Sequence, residues 1–150
     1  MRVREAQAHE AAEVAALINR AFRVEDFFID GDRTDAAEIA GMMAGGTFLV
    51  GGDFEGVVFV KVAGDRGYFG LLSIEPALQR KGLGRALVRE AEAFCRRAGC
   101  TAMDMKIVDL RAELPAFYAA QGYVVTGTSA FPDAAKAKLP CHFVHMSKPL

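Results

Sequence analysis

Residues 68–98 constrain the fold of this chain most. An apolar run over 68–74 leads through Glu75-Pro76 and the segment Gln79-Arg80-Lys81-Gly82-Leu83-Gly84 into a stretch of helical periodicity. A strand that turns through glycines into a helix leaves one sheet edge, and the next strand can lie parallel to it through a right-handed crossover. Gly82 and Gly84 carry no side chains and can adopt backbone angles closed to other residues, so several N–H groups can turn toward one anion. The helix adds unpaired N–H donors and the positive end of its dipole, and Arg80, Lys81 and Arg85 add formal charge. The segment predicts a cradle for a multiply phosphorylated ligand.

Two commoner phosphate motifs fail on the same residues. A Walker A loop needs Gly-Lys followed by Ser or Thr, but Gly84 is followed by Arg85 and Ala86. The dinucleotide fingerprint wants a third glycine where Leu87 stands. What remains is Gln-x-x-Gly-x-Gly preceded by Leu72-Ser73-Ile74-Glu75-Pro76. This pattern resembles the acyl-CoA signature of the GNAT superfamily of N-acyltransferases.

The remaining sequence supplies a consistent order of elements. Residues 3–6 can form a strand; Val14, Leu17, Ile18, Ala21 and Phe22 recur at helical spacing, and Asp35 with Glu38 predicts an N-capped second helix. Residues 47–50 and 57–62 predict a hairpin, and Gly64-Asp65-Arg66-Gly67 turns the chain into the strand before the glycines. Leu87, Ala91, Phe94, Cys95 and Ala98 mark one face of the long helix; a strand at 101–108, a short helix containing Leu114, Phe117, Tyr118 and Gln121, and strands at 123–128 and 142–147 follow. The result is a mixed α/β fold. The GNAT resemblance, which spans essentially the whole chain, makes it a mostly antiparallel central sheet with a parallel splayed pair and helices on both faces.

At 150 residues the chain fits a single domain. Its 52% hydrophobic content, 25% charged content and net charge of −1 are those of an ordinary globular protein and offer nothing to nucleic acid. No apolar run is long enough for a membrane, and the first residues do not read as a signal peptide, so a cytoplasmic protein is expected. Cys95, Cys100 and Cys141 show no metal-binding or redox spacing and are expected as reduced thiols. His142 and His145, three apart on a strand, should face opposite ways, and no metal is assigned.

The resemblance implies transfer of an acetyl group from acetyl-CoA to a primary amine by direct attack, on either a small-molecule or a peptide acceptor. Leu72, Ser73 and Ile74 would bond the pantetheine arm through their backbone. Gln79, Arg80, Lys81, Gly82, Leu83, Gly84 and Arg85 would cradle the diphosphate. Ile74 would also offer its amide to the carbonyl oxygen that gains charge, and Tyr118 would protonate the departing thiolate. Glu75, Asp109, His142 and His145 are all open as bases, as is a water chain. By the same resemblance the segment with Glu25, Asp26, Asp30, Asp32 and Asp35 lines the acceptor site; its charge could attract a cationic amine, with Phe27 and Phe28 as an apolar wall. Lys136 and Lys138 are expected to be solvated. Two alternatives stand beside this reading: a noncatalytic acyl-CoA-binding or regulatory module, and a phosphate-binding structural domain. Exposed C-terminal strand edges leave a homodimer open alongside a monomer.

Overall fold

Seven strands form one sheet in the order β1-β2-β3-β4-β5-β7-β6, in a computed structural model that describes residues 1–150 apart from the side chain of Ala134. The strands are β1 (Val3–Glu5), β2 (Thr47–Gly51), β3 (Gly56–Ala63), β4 (Arg66–Ile74), β5 (Ala102–Val108), β6 (Val124–Ala130) and β7 (His142–Pro149). Four α-helices intervene: α1 (Ala11–Ala21), α2 (Ala36–Met43), α3 (Leu83–Arg97) and α4 (Leu114–Ala119). The order matches the expectation from sequence, with boundaries shifted by a few residues; α3, for example, begins before Gly84. Every neighbouring pair is antiparallel except β4 and β5.

β3 shows why two helical layers are needed. Its alternation sends Val57 and Phe59 to one face, where they pack with Val14, Leu17 and Ile18 of α1 and Ile39 of α2. Val58 and Val60 point the other way, into a core with Leu87, Val88, Ala91 and Cys95 of α3. A strand apolar on both faces must be covered on both. Cys95 is fully buried, and burial pushes its thiol up to about 12, with Cys100 adding to the shift. This is a packing residue rather than a nucleophile. α2 is held at its start as its sequence predicts, with the Asp35 carboxylate accepting from the Glu38 N–H at 2.8 Å.

A third, smaller core of Phe28, Ile29, Val108 and Phe143 lies where the α1–α2 connection meets the β6–β7 loop. These segments are zipped by backbone bonds: the Asp30 N–H donates to the Lys136 carbonyl and the Lys138 N–H to the Phe28 carbonyl, both at 2.8 Å. Lys138 also donates through Nζ to the Asp26 carbonyl at 2.8 Å and pairs with Asp30 at 3.4 Å. It therefore fastens two distant loops instead of standing free in solvent, a contact that only the folded topology creates. Lys136 lies 3.7 Å from Asp133.

Near the N-terminus, Arg4 grips Glu10 with two bonds of 2.8 Å, and Glu10 also accepts from the Gln7 N–H. The Arg4 guanidinium first, and the Gln7 amide second, hold the Glu10 carboxyl down at about 2. A folded pKa below the unfolded one adds stability that is complete above the ordinary Glu range and is lost as pH falls from about 4.5 to about 2. Urea titrations at pH 6 and pH 3 are expected to show a wild-type loss on acidification that Glu10→Gln reduces. An identical loss in both proteins would remove Glu10 from the acid response.

Candidate functional site

The parallel pairing of β4 with β5 stops early. It runs through Arg66↔Ala102, Gly67↔Met103 and Tyr68↔Asp104, yet β4 continues to Ile74 and β5 to Val108. The cause lies on the other side of β4. Val57 of β3 pairs with Ser73, but Phe59 pairs with Gly70, so Leu71 and Leu72 together oppose one residue. This is a β-bulge, with Leu71 at φ +54, a left-handed conformation that a non-glycine residue adopts only under constraint. The Ser73 hydroxyl donates to the Leu71 carbonyl at 2.9 Å and pins the bulge from within. β4 bends away from β5, and a cleft of about 850 Å³ opens between them.

The strand backbone sorts the expected contacts. The Glu75 N–H donates to the Glu55 carbonyl of the β2–β3 turn at 2.9 Å. Alternation then turns the main chain of Ser73 toward β3 and those of Leu72 and Ile74 toward the free edge. The Ile74 carbonyl indeed accepts from Gln79 Nε2 on the loop side, at 3.3 Å. Leu72, Ile74, Gln79, Arg80 and Tyr118 line the cleft. Ser73 is 2% exposed and does not; its place is behind the bulge.

Lys81 and Gly82 lead into α3, which begins at Leu83; Lys81 to Arg85 are not part of the cleft lining, but Gly84 adjoins it, since a Cβ there would lie 3.7–3.8 Å from Phe117, Ile74 and Leu72. Gly82 is the N-cap, at φ +81, and Arg80 is also left-handed, at φ +66. Gly84, expected as a second conformational hinge, is instead helical. α3 begins unlike α2: no side chain caps it and its first turn has no acidic residue, while Arg85 lies within that turn. The first-turn N–H groups of Leu83, Gly84 and Arg85 have no intrahelical acceptors. A cation beside the positive end of a helix dipole is unfavourable, as is an uncapped start, each by about 0.3–1 kcal/mol. Both penalties vanish when an anion sits there.

Tyr118 comes from α4, a short helix ended by Gly122 at φ +98. Its ring packs on Phe117 at 4.9 Å, Phe69 at 5.9 Å and Tyr123 at 6.1 Å between centroids. Burial pushes its phenol well above the ordinary range, with the charge of Arg111 acting in the opposite direction. Among the described residues no buried side-chain polar atom lacks a partner, and no protein bond to the Tyr118 hydroxyl occurs; its oxygen therefore reaches the cleft instead of being sealed in the core.

The residues considered as bases lie elsewhere. Glu75 is bound by Arg20 at 2.7 and 3.1 Å, Asp109 accepts from the His142 N–H at 2.8 Å, and the His145 ring bonds the Ser129 hydroxyl at 2.6 Å. None of these lines the cleft. The acidic segment is also committed. Glu25, buried, accepts from Arg111 at 2.9 Å; Asp26 and Asp32 pair with Arg23; Asp30 pairs with Lys138; Asp35 caps α2. Phe28 is fully buried, and Phe27 is exposed. Arg111 also binds Glu113 at 2.6 Å. Sequence reasoning missed Arg111, Arg33 and Lys106, which line the cleft, because nothing local distinguishes them from surface charges.

Comparisons with known proteins agree with this geometry. The sequence model described as the Acetyltransferase (GNAT) family matches residues 4–123. Comparison with curated proteins gives no significant match. Among solved structures, yncA from Salmonella typhimurium with its cofactor acetyl-CoA is 21% identical, with TM-score 0.74, covering 100% of this chain and 94% of the other. The ribosomal-protein-S18-alanine N-acetyltransferase from Escherichia coli is 14% identical, with TM-score 0.77 and coverage of 99% and 92%. The paia N-acetyltransferase from Thermoplasma acidophilum in complex with coenzyme A is 14% identical, with TM-score 0.79 and coverage of 99% and 98%. Among the described residues no helix is long and apolar enough to cross a membrane, and no cluster of His, Cys, Asp or Glu is gathered that could hold a metal.

Proposed function

This chain belongs to the GNAT acetyltransferase family, and from that premise we propose that it transfers the acetyl group of acetyl-CoA to a primary amine, by direct attack within the cleft between β4 and β5. The observation that carries the reading is the bulge at Leu71, beyond which Leu72 and Ile74 of β4 share one cleft with Tyr118 and adjoin Gly84 of α3. The residues fit the donor. Unpaired N–H groups and Arg80, Lys81 and Arg85 would hold its diphosphate, and the edge of Leu72 and Ile74 would bond its pantetheine amides. Acetyl-CoA supplies an activated thioester. The chain supplies placement, an Ile74 N–H donor toward the carbonyl oxygen as it gains charge, and a phenol at Tyr118 to return a proton to sulfur. With Glu25 and Glu113 both held by Arg111, the amine's proton leaves through solvent in the open cleft.

Gly84 gives a test whose two readouts have opposite signs. A methyl group there would meet Phe117, Ile74 and Leu72 at 3.7–3.8 Å, ordinary contact distances. Gly84→Ala should therefore keep or raise stability, by up to about 1 kcal/mol from helix propensity. A diphosphate approaching the same surface would be pushed outward, so CoA affinity by calorimetry should fall about tenfold or more, a loss of about 1.4 kcal/mol. Unchanged affinity in a well-folded variant would place the phosphates elsewhere, and ATP binding as well as CoA would remove the role of the pantetheine arm. With acetyl-CoA saturating, an amine library read by free-thiol release tests turnover itself.

A further inference from the structure

The cleft has a second charged region, on the face of the sheet away from α3. Tyr68 packs with the α1–α2 core and pairs in register with Asp104, so Lys106, two residues beyond Asp104 on β5, lies on that same face. The Lys106 ammonium sits 4.4 Å from the centre of the Phe143 ring. Arg33, from the α1–α2 connection, holds its guanidinium carbon over the Phe22 ring, 5.2 Å from its centre, close enough for its charge to act on the Tyr68 hydroxyl. Phe22, Arg33, Tyr68, Lys106 and Phe143 all line the cleft, whereas Asp104 does not. A cation attracted to a ring face does not spend all of its N–H donors there, so both side chains retain donors for a ligand.

The balance of charge decides what these donors can take. Glu25 and Glu113 are the cleft's carboxylates, and both are bound to Arg111. Asp26 and Asp32 nearby share Arg23, Asp30 pairs with Lys138, and none of the three lines the cleft. Among the described residues neither Arg33 nor Lys106 forms an ion pair. An acceptor with a second positive charge would meet no free carboxylate and two cations, whereas one with a carboxylate would find complementary charge between aromatic walls. The diphosphate donors lie on the other side, at α3, and do not account for this pair.

Resting on the acetyl-transfer reading, we propose that the acceptor is an amine bearing a carboxylate and an apolar side chain, of the amino-acid class, with Arg33 and Lys106 holding the carboxylate and Phe22 and Phe143 flanking the side chain. The same cations would lower the pKa of the acceptor ammonium and favour the neutral amine that attacks.

The test uses the CoA-loaded protein and two product-like probes, N-acetyl-L-phenylalanine and N-acetylphenethylamine, which differ by the carboxylate. Calorimetry is expected to show the first binding about ten- to hundredfold more tightly, and the difference should collapse in Arg33→Gln/Lys106→Gln while CoA affinity is unchanged. Equal affinity of the two probes, binding of neither, or an undiminished difference in the double variant would overturn the inference, even if other amines are acetylated. Loss of CoA binding in the wild-type protein would sink the acetyl-transfer reading instead; repeating the titration without CoA then judges the two cations alone by the same criteria.

Discussion

Replacing Tyr118 with phenylalanine is expected to lower kcat by about 100- to 10,000-fold, the range for losing a positioned general acid, while the affinity for acetyl-CoA stays near wild type. The structure makes this substitution unusually clean. The Tyr118 hydroxyl has no protein hydrogen-bond partner among the described residues, and the ring alone contacts Phe69, Phe117 and Tyr123. Phenylalanine keeps those contacts, so stability should change by less than about 1 kcal/mol. Alanine would be a poor test, since removing the ring costs roughly 3–5 kcal/mol in packing. The upward shift of the phenol by burial has a further consequence: Tyr118 stays protonated through the neutral range, so it should contribute no alkaline fall in kcat below about pH 10. Thiol-release kinetics, CoA calorimetry and thermal melts together separate the outcomes. A well-folded Tyr118→Phe protein with wild-type turnover would take Tyr118 out of the chemistry and favour solvent as the proton donor to sulfur.

What could be read from sequence is what local rules encode. The α2 start is written in Asp35 and Glu38, and the entry to α3 in the glycines and their basic neighbours; both are specified within a few residues. The bulge was not legible. Nothing marks Leu71 as a residue at positive φ, because that angle is set by the register of β3 on β4 and by Ser73 behind it. The charge of the acceptor side was misleading for a related reason. Five acidic residues in one short segment suggest a negative surface, but two of them take partners from afar: Arg111 is 86 residues from Glu25, and Lys138, which pairs with Asp30, comes from the β6–β7 loop. The cleft lining itself sets Glu25 and Glu113 against Arg33, Arg80, Lys106 and Arg111, a positive balance, and of these cations Arg33, Lys106 and Arg111 had no distinguishing neighbours in sequence.

A single buried carboxylate beneath the site should control much of the stability of that half of the fold. Glu92 of α3 is 3% exposed; it accepts from the Tyr123 hydroxyl at 2.7 Å and from Lys148 of β7 at 3.0 and 3.1 Å. Lys148 also lies over the Tyr123 ring, 5.6 Å from its centre. Burial chiefly, and then the bond to Glu92, push the Tyr123 phenol far up, so it remains a donor. Glu92→Leu would leave a confined cation and a buried hydroxyl unpaired, at a cost of about 3 kcal/mol. For a chain of this length that corresponds to roughly 6–12 °C in Tm. Lys148→Met should cost a similar amount by stranding the carboxylate. Combining the two removes both charges together, and the double variant should be more stable than either single one, because an apolar pair of similar volume avoids the desolvation penalty. Additive losses in that cycle would mean that the two charges are independent. Because Tyr123 packs edge-on to both Tyr118 and Phe69, the single variants should also lower kcat without altering CoA affinity, and the double variant should recover part of it. Unaltered kcat in a destabilised Glu92→Leu protein would show that Tyr118 is positioned by α4 alone.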